Sequence, residues 1–368
     1  MNIRYWSSVL AALLCSSLFA APIGPGEGAK TSYKVLVMGD AHFDAPEFHR
    51  IPPTTDARKN ERSRNLKMWK AKSPALFAAA GKRAAAEKVA FAVQLGDLSQ
   101  GDCDDEELQG AMIRKAFDTV KKKFPADVPL LIVKGNHDIR TVKKNKNNAG
   151  ANAALLPIIS RELGTPVKKN TCYSFTRGRD LYIAIDDFIS AKAIEAFVKK
   201  SLDAHPKTRY VIFMSHLPLL PASVGNPFWV VPGHERIAAL LETRNTLILA
   251  AHTHSPSLIT RTSARGKLTQ LIVSSMGHSW GMKHAPGERE WWDAYTDAVK
   301  KNLADGKDSE RDAKLWAEWE SSGSFTYRHL FHNAGFVILD VGDEALTVRC
   351  FNTPSRKPGL TLKLLSGR

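Results

Sequence analysis

Five apolar runs punctuate the chain, and each ends in a short polar cluster. Tyr33 to Met38 leads into Gly39-Asp40-Ala41-His42, Phe91 to Leu95 into Gly96-Asp97, and Leu130 to Val133 into Gly135-Asn136-His137-Asp138. Tyr210 to Met214 leads into Ser215-His216-Leu217-Pro218, and Thr246 to Ala250 into Ala251-His252-Thr253-His254. Short continuous apolar runs bounded by turn residues predict strands buried on both faces, the habit of parallel strands. In open α/β sheets, ligands bind outside the carboxyl ends of such strands. The pattern therefore predicts that the five clusters share one edge.

The stretches between the runs predict helices. Arg62 to Lys88 is rich in Ala, Lys and Leu, with an interruption at Pro74. Asp104 to Lys123 carries acidic residues in its first turn and lysines in its last, in keeping with the helix dipole. Ala191 to Ala204 and Glu235 to Glu242 predict two more helices, and Asn145 to Gly164 predicts an active-site loop and a short helix. Cys172 to Phe175 and Leu181 to Ile185 flank a hairpin-like turn at Arg177-Gly178-Arg179-Asp180. Ser257 to Thr262, Leu268 to Ser274, Gly335 to Val341 and Leu346 to Phe351 predict further strands. The expected fold class is α/β: a four-layer α-β-β-α sandwich, two mixed sheets packed together with flanking helices.

No Pro/Gly/Ser linker divides Asp40 to His254, so one catalytic domain is expected over residues 30–354, followed by a C-terminal tail at 355–368. Within it, Gly277 to His332 forms a polar, Trp-rich insertion carrying Trp280, Trp291, Trp292, Trp316 and Trp319. Helices are expected there at Glu290 to Leu303 and Ser309 to Ser321, either as a lid over the site or as packing onto the domain.

Composition changes little: 43% apolar and 24% charged residues over 368 leave ample material for a core. The net charge of +15 draws anions, although the lysine pairs and triplets read best as solvated helix ends and loops. No basic stripe is interleaved with aromatics, so no stable nucleic-acid partner is expected. At the N-terminus, Arg4, the apolar stretch Val9 to Ala20 and the small residues Ala20 and Ala21 predict a signal peptide over residues 1–20. That implies a secreted or periplasmic protein, the alternative being an uncleaved anchor. No later apolar run approaches about 18 residues, so no transmembrane segment is expected after signal removal. Cys103, Cys172 and Cys350 remain, an odd set expected to be free thiols.

The clusters carry the chemistry. Asp40 and His42 stand at i and i+2, and in an extended segment such side chains point the same way; His252 and His254 share that spacing where the loop turns, so their ions can differ. Asp97 is a carboxylate able to lend one oxygen to each of two divalent ions. Asn136 offers an amide oxygen, and His216 a ring nitrogen. Each fragment alone is common; all five in this order and strand context point to a two-metal site for displacement at phosphorus.

The series Gly-Asp-x-His, Gly-Asp, Gly-Asn-His-Asp, His-x-Pro and x-His-x-His resembles the calcineurin-like metallophosphoesterase superfamily, from about Lys34 to Phe351. The resemblance implies a double β-sandwich with a dinuclear metal centre. Asp40, His42 and His254 would bind the first metal, Asn136, His216 and His252 the second, and Asp97 would bridge them. His137 would face the leaving oxygen, with Asp138 orienting its ring. Manganese, iron, zinc and cobalt all suit such ligands. Two positions depart from the pattern. Gln100 stands where the second motif usually has Asp and where purple acid phosphatases carry Tyr, so no tyrosinate-bound ferric ion is expected. Ala251 replaces a Gly.

The implied activity is hydrolysis of an anionic phosphoester by a hydroxide bridging the metals, foremost of a monoester. A phosphodiesterase acting on nucleotides or phospholipid headgroups is the alternative. Asp40-Ala41-His42-Phe43-Asp44 faintly resembles acid sphingomyelinase-like enzymes, whose many cysteines are missing here. A non-catalytic metal-binding module is the rival from another class, and oligomeric state is not legible.

Overall fold

The computed structural model describes residues 32–367 apart from 53–54, 144–146, 223–228, 278–296, 298–299, 302–303, 307–313, 315–316, 320, 331–332 and 353–356. In chain order, the first half forms β1 (Tyr33–Met38), α1 (Asp56–Ala71), α2 (Ser73–Glu87), β2 (Phe91–Leu95), α3 (Glu106–Lys121), β3 (Leu130–Val133) and α4 (Asn148–Leu163). The second half forms β4 (Tyr173–Arg177), β5 (Asp180–Ala184), α5 (Ala191–Ala204), β6 (Val211–Met214), α6 (His234–Leu241), β7 (Thr246–Ala250), β8 (Ser257–Ser263) and β9 (Gly266–Ile272). It closes with β10 (Ser324–His329), β11 (Phe336–Val341), β12 (Ala345–Phe351) and β13 (Leu360–Ser366).

The strands make two mixed sheets, ordered β13-β12-β11-β1-β2-β3 and β10-β8-β9-β7-β6-β5-β4. The expected α/β sandwich is therefore present. In the first sheet β1, β2 and β3 are parallel and end level, with Met38 opposite Gln94 and Leu95 opposite Val133. In the second, β5, β6, β7 and β9 are parallel, with Ala184 opposite Met214 and Met214 opposite Leu249. The carboxyl ends of both parallel ribbons point to one side. A bridge between Gly39 and Ser275, reinforced by Met276 N donating to Gly39 O at 3.0 Å, joins the sheets there.

Side-chain alternation explains the layering. Tyr182, Ala184, Ile212, Met214, Leu247 and Leu249 share the large core between the sheets, which also takes in Phe77, Ile113, Phe117 and Leu155 from α2, α3 and α4. Their neighbours Leu181, Ile183, Val211, Phe213, Ile248 and Ala250 face outward into a second core, with Ile194 and Val198 of α5 and Ile237 of α6. Period-two alternation thus gives each face of the second sheet its own partner. Asp105 caps α3, its carboxylate accepting from Leu108 N at 2.9 Å.

Four local expectations change. The first helical stretch begins at Asp56 rather than Arg62, and only Lys72 separates α1 from α2, with Pro74 in the first turn of α2. The hairpin turn tightens to Gly178-Arg179, with Gly178 at φ 57°. Residues 355–368, expected as a tail, supply edge strand β13, paired with β12. The end of the Trp-rich segment supplies β10, antiparallel to β8. Trp319 is fully buried, stacked on His234 at 4.9 Å and packed against Phe325, so it serves the core. Trp280, Trp291, Trp292 and Trp316 lie outside the described residues, as do the signal segment and most of the expected helices at Glu290 to Leu303 and Ser309 to Ser321. Cys103, Cys172 and Cys350 are free thiols.

Candidate metal centre

All five clusters meet where the two parallel ribbons end. Two glycines allow this closeness. A Cβ on Gly96, at φ 89°, would stand 2.5 Å from the His216 ring, and one on Gly135 would stand 2.0 Å from Asp97 N. The expectation of an extended segment at Asp40 and His42 is not met. Asp40 (φ 42°), His42 (φ 48°), Asp97 (φ 52°), His252 (φ 66°) and His254 (φ 53°) all adopt left-handed backbone. The i and i+2 partners reach one site because the chain coils, not because it is straight. Left-handed backbone at a non-glycine residue costs about 1–2 kcal/mol, strain that concentrates at functional sites.

The donor atoms are spaced like the edges of coordination polyhedra. Two donors bound about 2.1 Å from one ion stand about 3.0 Å apart at a right angle and about 3.4 Å apart at a tetrahedral angle. His254 Nε2 lies 3.2 Å from His42 Nε2 and 3.4 Å from Asp40 Oδ1. His216 Nε2 lies 2.9 Å from Asn136 Oδ1, 3.1 Å from His252 Nδ1 and 3.4 Å from Asp97 Oδ2. Asp97 Oδ2 is also 3.8 Å from His42 Nε2, so it stands between the two groups. Its other oxygen, Oδ1, accepts the His137 amide at 2.7 Å. Asp40 Oδ2 is buried with no hydrogen-bond partner among the described residues, as a carboxylate oxygen aimed at a cation would be.

Surrounding contacts aim these ligands. His216 Nδ1 bonds the Leu95 carbonyl at 2.8 Å, which turns Nε2 into the site. Asp187 Oδ2 accepts the amides of His216 and Leu217, each at 2.8 Å. Burial opposes charge on His216, but Asp97 and Asp40 push its pKa up to about 10. Burial would raise Asp97, yet the imidazoles of His216, His137 and His42 hold it well below the usual carboxylate range.

His137 stands beside His42 and Asp97, its ring 4.5 Å from that of His42. Its Nδ1 bonds the Gln100 carbonyl at 2.8 Å, and its Nε2 lies 3.5 Å from Glu61 Oε1. Asp138 does not orient this ring. Its carboxylate instead accepts the amides of Gly135, Leu98 and Ser99 and the Ser99 hydroxyl, tying the second cluster to the third. Burial, then Asp97, raises Asp138 to about 6 against the pull of those donors. Ring nitrogens of His137 and His42 and an Asp97 oxygen also fall within 4.8 Å of one another, so His137 adjoins the ligands.

Sequence reading missed Glu61 and Asn65 on α1, the Gln100 carbonyl, Asp187, and the half-exposed Trp229, whose ring lies 4.8 Å from that of His252. Asn65 Nδ2 donates to Gln100 Oε1 at 2.8 Å.

Fold and site together define a two-sheet α/β sandwich with candidate metal ligands gathered at the ends of its parallel strands. The family model for calcineurin-like phosphoesterases matches residues 33–256, and the chain belongs to that family. No curated protein matches the sequence. Among solved structures, purple acid phosphatase PPD1 from yellow lupin (Lupinus luteus) seeds shares 13% identity at a TM-score of 0.53, covering 94% of this chain and 55% of its own. A dimetal phosphatase from Danio rerio shares 13% at 0.52, covering 91% and 99%. PhoD shares 11% at 0.53, covering 95% and 70%. The chain thus spans about half the lupin enzyme and nearly all of the Danio rerio one, and these likenesses carry the fold alone.

Proposed function

We propose that this chain is an exported phosphomonoesterase that works with two divalent cations. One observation carries the reading: two sets of ligand atoms, each spaced as if around one ion, share the single oxygen Asp97 Oδ2. Asp40, His42 and His254 hold one ion, and Asn136, His216 and His252 the other. Manganese, iron, zinc and cobalt suit this mixture of carboxylate, amide and imidazole. When bound, such ions activate water and neutralise charge on phosphoryl oxygens.

The chain's own residues do the rest. His137, as an imidazolium whose Nδ1–H is held by the Gln100 carbonyl, donates from Nε2 to the leaving oxygen. Gly96 and Gly135 let the ligand loops close on one another. A dianionic monoester gains more than a monoanionic diester from two cations and from a net charge of +15. Export is supported by the signal-like segment with Arg4 and Val9 to Ala20; among the described residues no helix is long and apolar enough to cross a membrane.

The test is a parallel assay of the mature chain on p-nitrophenyl phosphate and bis-p-nitrophenyl phosphate, with each metal added in turn. Faster metal-dependent turnover of the monoester is expected. Preference for the diester would favour the phosphodiesterase, and two bound metals without turnover would favour a binding module.

A further inference from the structure

We infer that Glu61 on α1 selects the leaving group, favouring phosphoesters of alcohols that carry a nearby hydroxyl or ammonium donor and disfavouring leaving groups that are themselves phosphates. The inference rests on the reading of His137 as the residue facing the leaving oxygen. Because the Gln100 carbonyl occupies Nδ1 at 2.8 Å, Nε2 is the nitrogen available to the substrate. Glu61 Oε1 lies 3.5 Å from that same nitrogen. Any leaving oxygen that accepts from Nε2 therefore sits beside the Glu61 carboxylate, and so do the substituents next to it.

Glu61 is built into its position. Its Oε2 accepts from Arg140 Nη2 at 2.8 Å, and Arg140 also donates to Asp102 Oδ2 at 2.9 Å. Arg58 pairs with the other Asp102 oxygen and donates to the Thr141 carbonyl at 3.2 Å. Two guanidinium groups and two carboxylates thus alternate, which pins α1 against the loops after β2 and β3. Of the two ends of this chain of charges, Arg58 is 16% exposed and Glu61 29%, so the more open end is the one at His137. An acceptor with negative charge at that point welcomes N–H and O–H donors and repels a second phosphate.

The experiment compares kcat/KM for 2-aminoethyl phosphate, inorganic pyrophosphate and p-nitrophenyl phosphate in the metal-loaded wild type, Glu61→Gln and Glu61→Asp. In Glu61→Gln, 2-aminoethyl phosphate should lose roughly tenfold and pyrophosphate gain roughly tenfold, about the worth of one charge-assisted hydrogen bond in a partly exposed site. Glu61→Asp, which keeps the charge, should retain the wild-type order of these two substrates. A loss falling equally on all three substrates, or a ratio within about twofold of wild type, overturns the inference while leaving the phosphoesterase reading intact. No turnover of any of the three by the wild type overturns that reading and the inference with it.

Discussion

Helices α5 and α1 are similar in length, with fourteen and sixteen residues, yet they are held by different physics. α5 starts at the Ser190 cap and buries Ile194, Val198, Ser201 and Leu202 along one stripe against the outer face of the second sheet. α1 buries only Asn65 and Trp69 completely, and turns Arg58, Glu61 and Asn65 toward the His137 flank. One helix is attached by hydrophobic surface, the other by hydrogen bonds and ion pairs around a single apolar anchor, Trp69 against Phe43 and Phe77. The contrast teaches that apolar periodicity finds the helices that hold a fold together. It passes over a helix whose buried face is itself part of the chemistry.

Perturbations of the two regions should separate cleanly. Asp97→Asn, at the shared oxygen, should lower metal-dependent turnover by more than about 100-fold, beyond the range typical of residues that merely orient ligands. Assay with saturating metal measures it. Ile194→Ala on α5 should cost about 2–5 kcal/mol of unfolding free energy by denaturant titration and leave kcat per folded molecule unchanged. Asn65→Ala on α1 should do the reverse in emphasis. Removing the donor to Gln100 should cost about 1–3 kcal/mol in stability, and kcat should fall because the His137 ring loses its backing. Equal kcat effects from both helices would erase the distinction.

The smallest effect concerns pH. Glu87 at the end of α2 accepts from Arg349 at 2.7 and 3.0 Å and from Lys34 at 2.6 Å. Hydrogen bonding to Arg349 outweighs burial and draws its carboxyl from the ordinary 4.5 down to about 2. A carboxyl whose pKa is depressed on folding stabilises fully above the ordinary value, and that contribution fades as pH falls from about 4.5 toward about 2. Wild type should exceed Glu87→Gln by about 1 kcal/mol at neutral pH, a figure discounted for solvent screening, and the gap should close over that acid window.

Much of this was written in the chain. The runs at Tyr33–Met38, Phe91–Leu95, Leu130–Val133 and Thr246–Ala250 became strands with those bounds, because a strand buried on both faces reads as a mainly apolar run. The ligand types at their ends were legible for the same reason, as abrupt polar breaks. Glu61 was not, since α1 lacks an apolar stripe and its first turn lies before Arg62. The Gln100 carbonyl was not, since a backbone oxygen has no sequence signature. The resemblance assigned Asp138 to the His137 ring, whereas its neighbours in space include the amides of another loop. β13 was passed over although Leu360, Leu362 and Leu364 alternate, because an edge strand near a chain end resembles a loose tail.

The central claim is that one oxygen of Asp97 stands between two cation sites with His137 outside them. Elemental analysis of wild type and His137→Ala, each dialysed after loading with manganese or zinc, tests it most directly. Two ions per chain in both proteins, with turnover lost in the variant, is the expected result. One ion or none in the wild type, or the loss of an ion on removing the His137 ring, would contradict it.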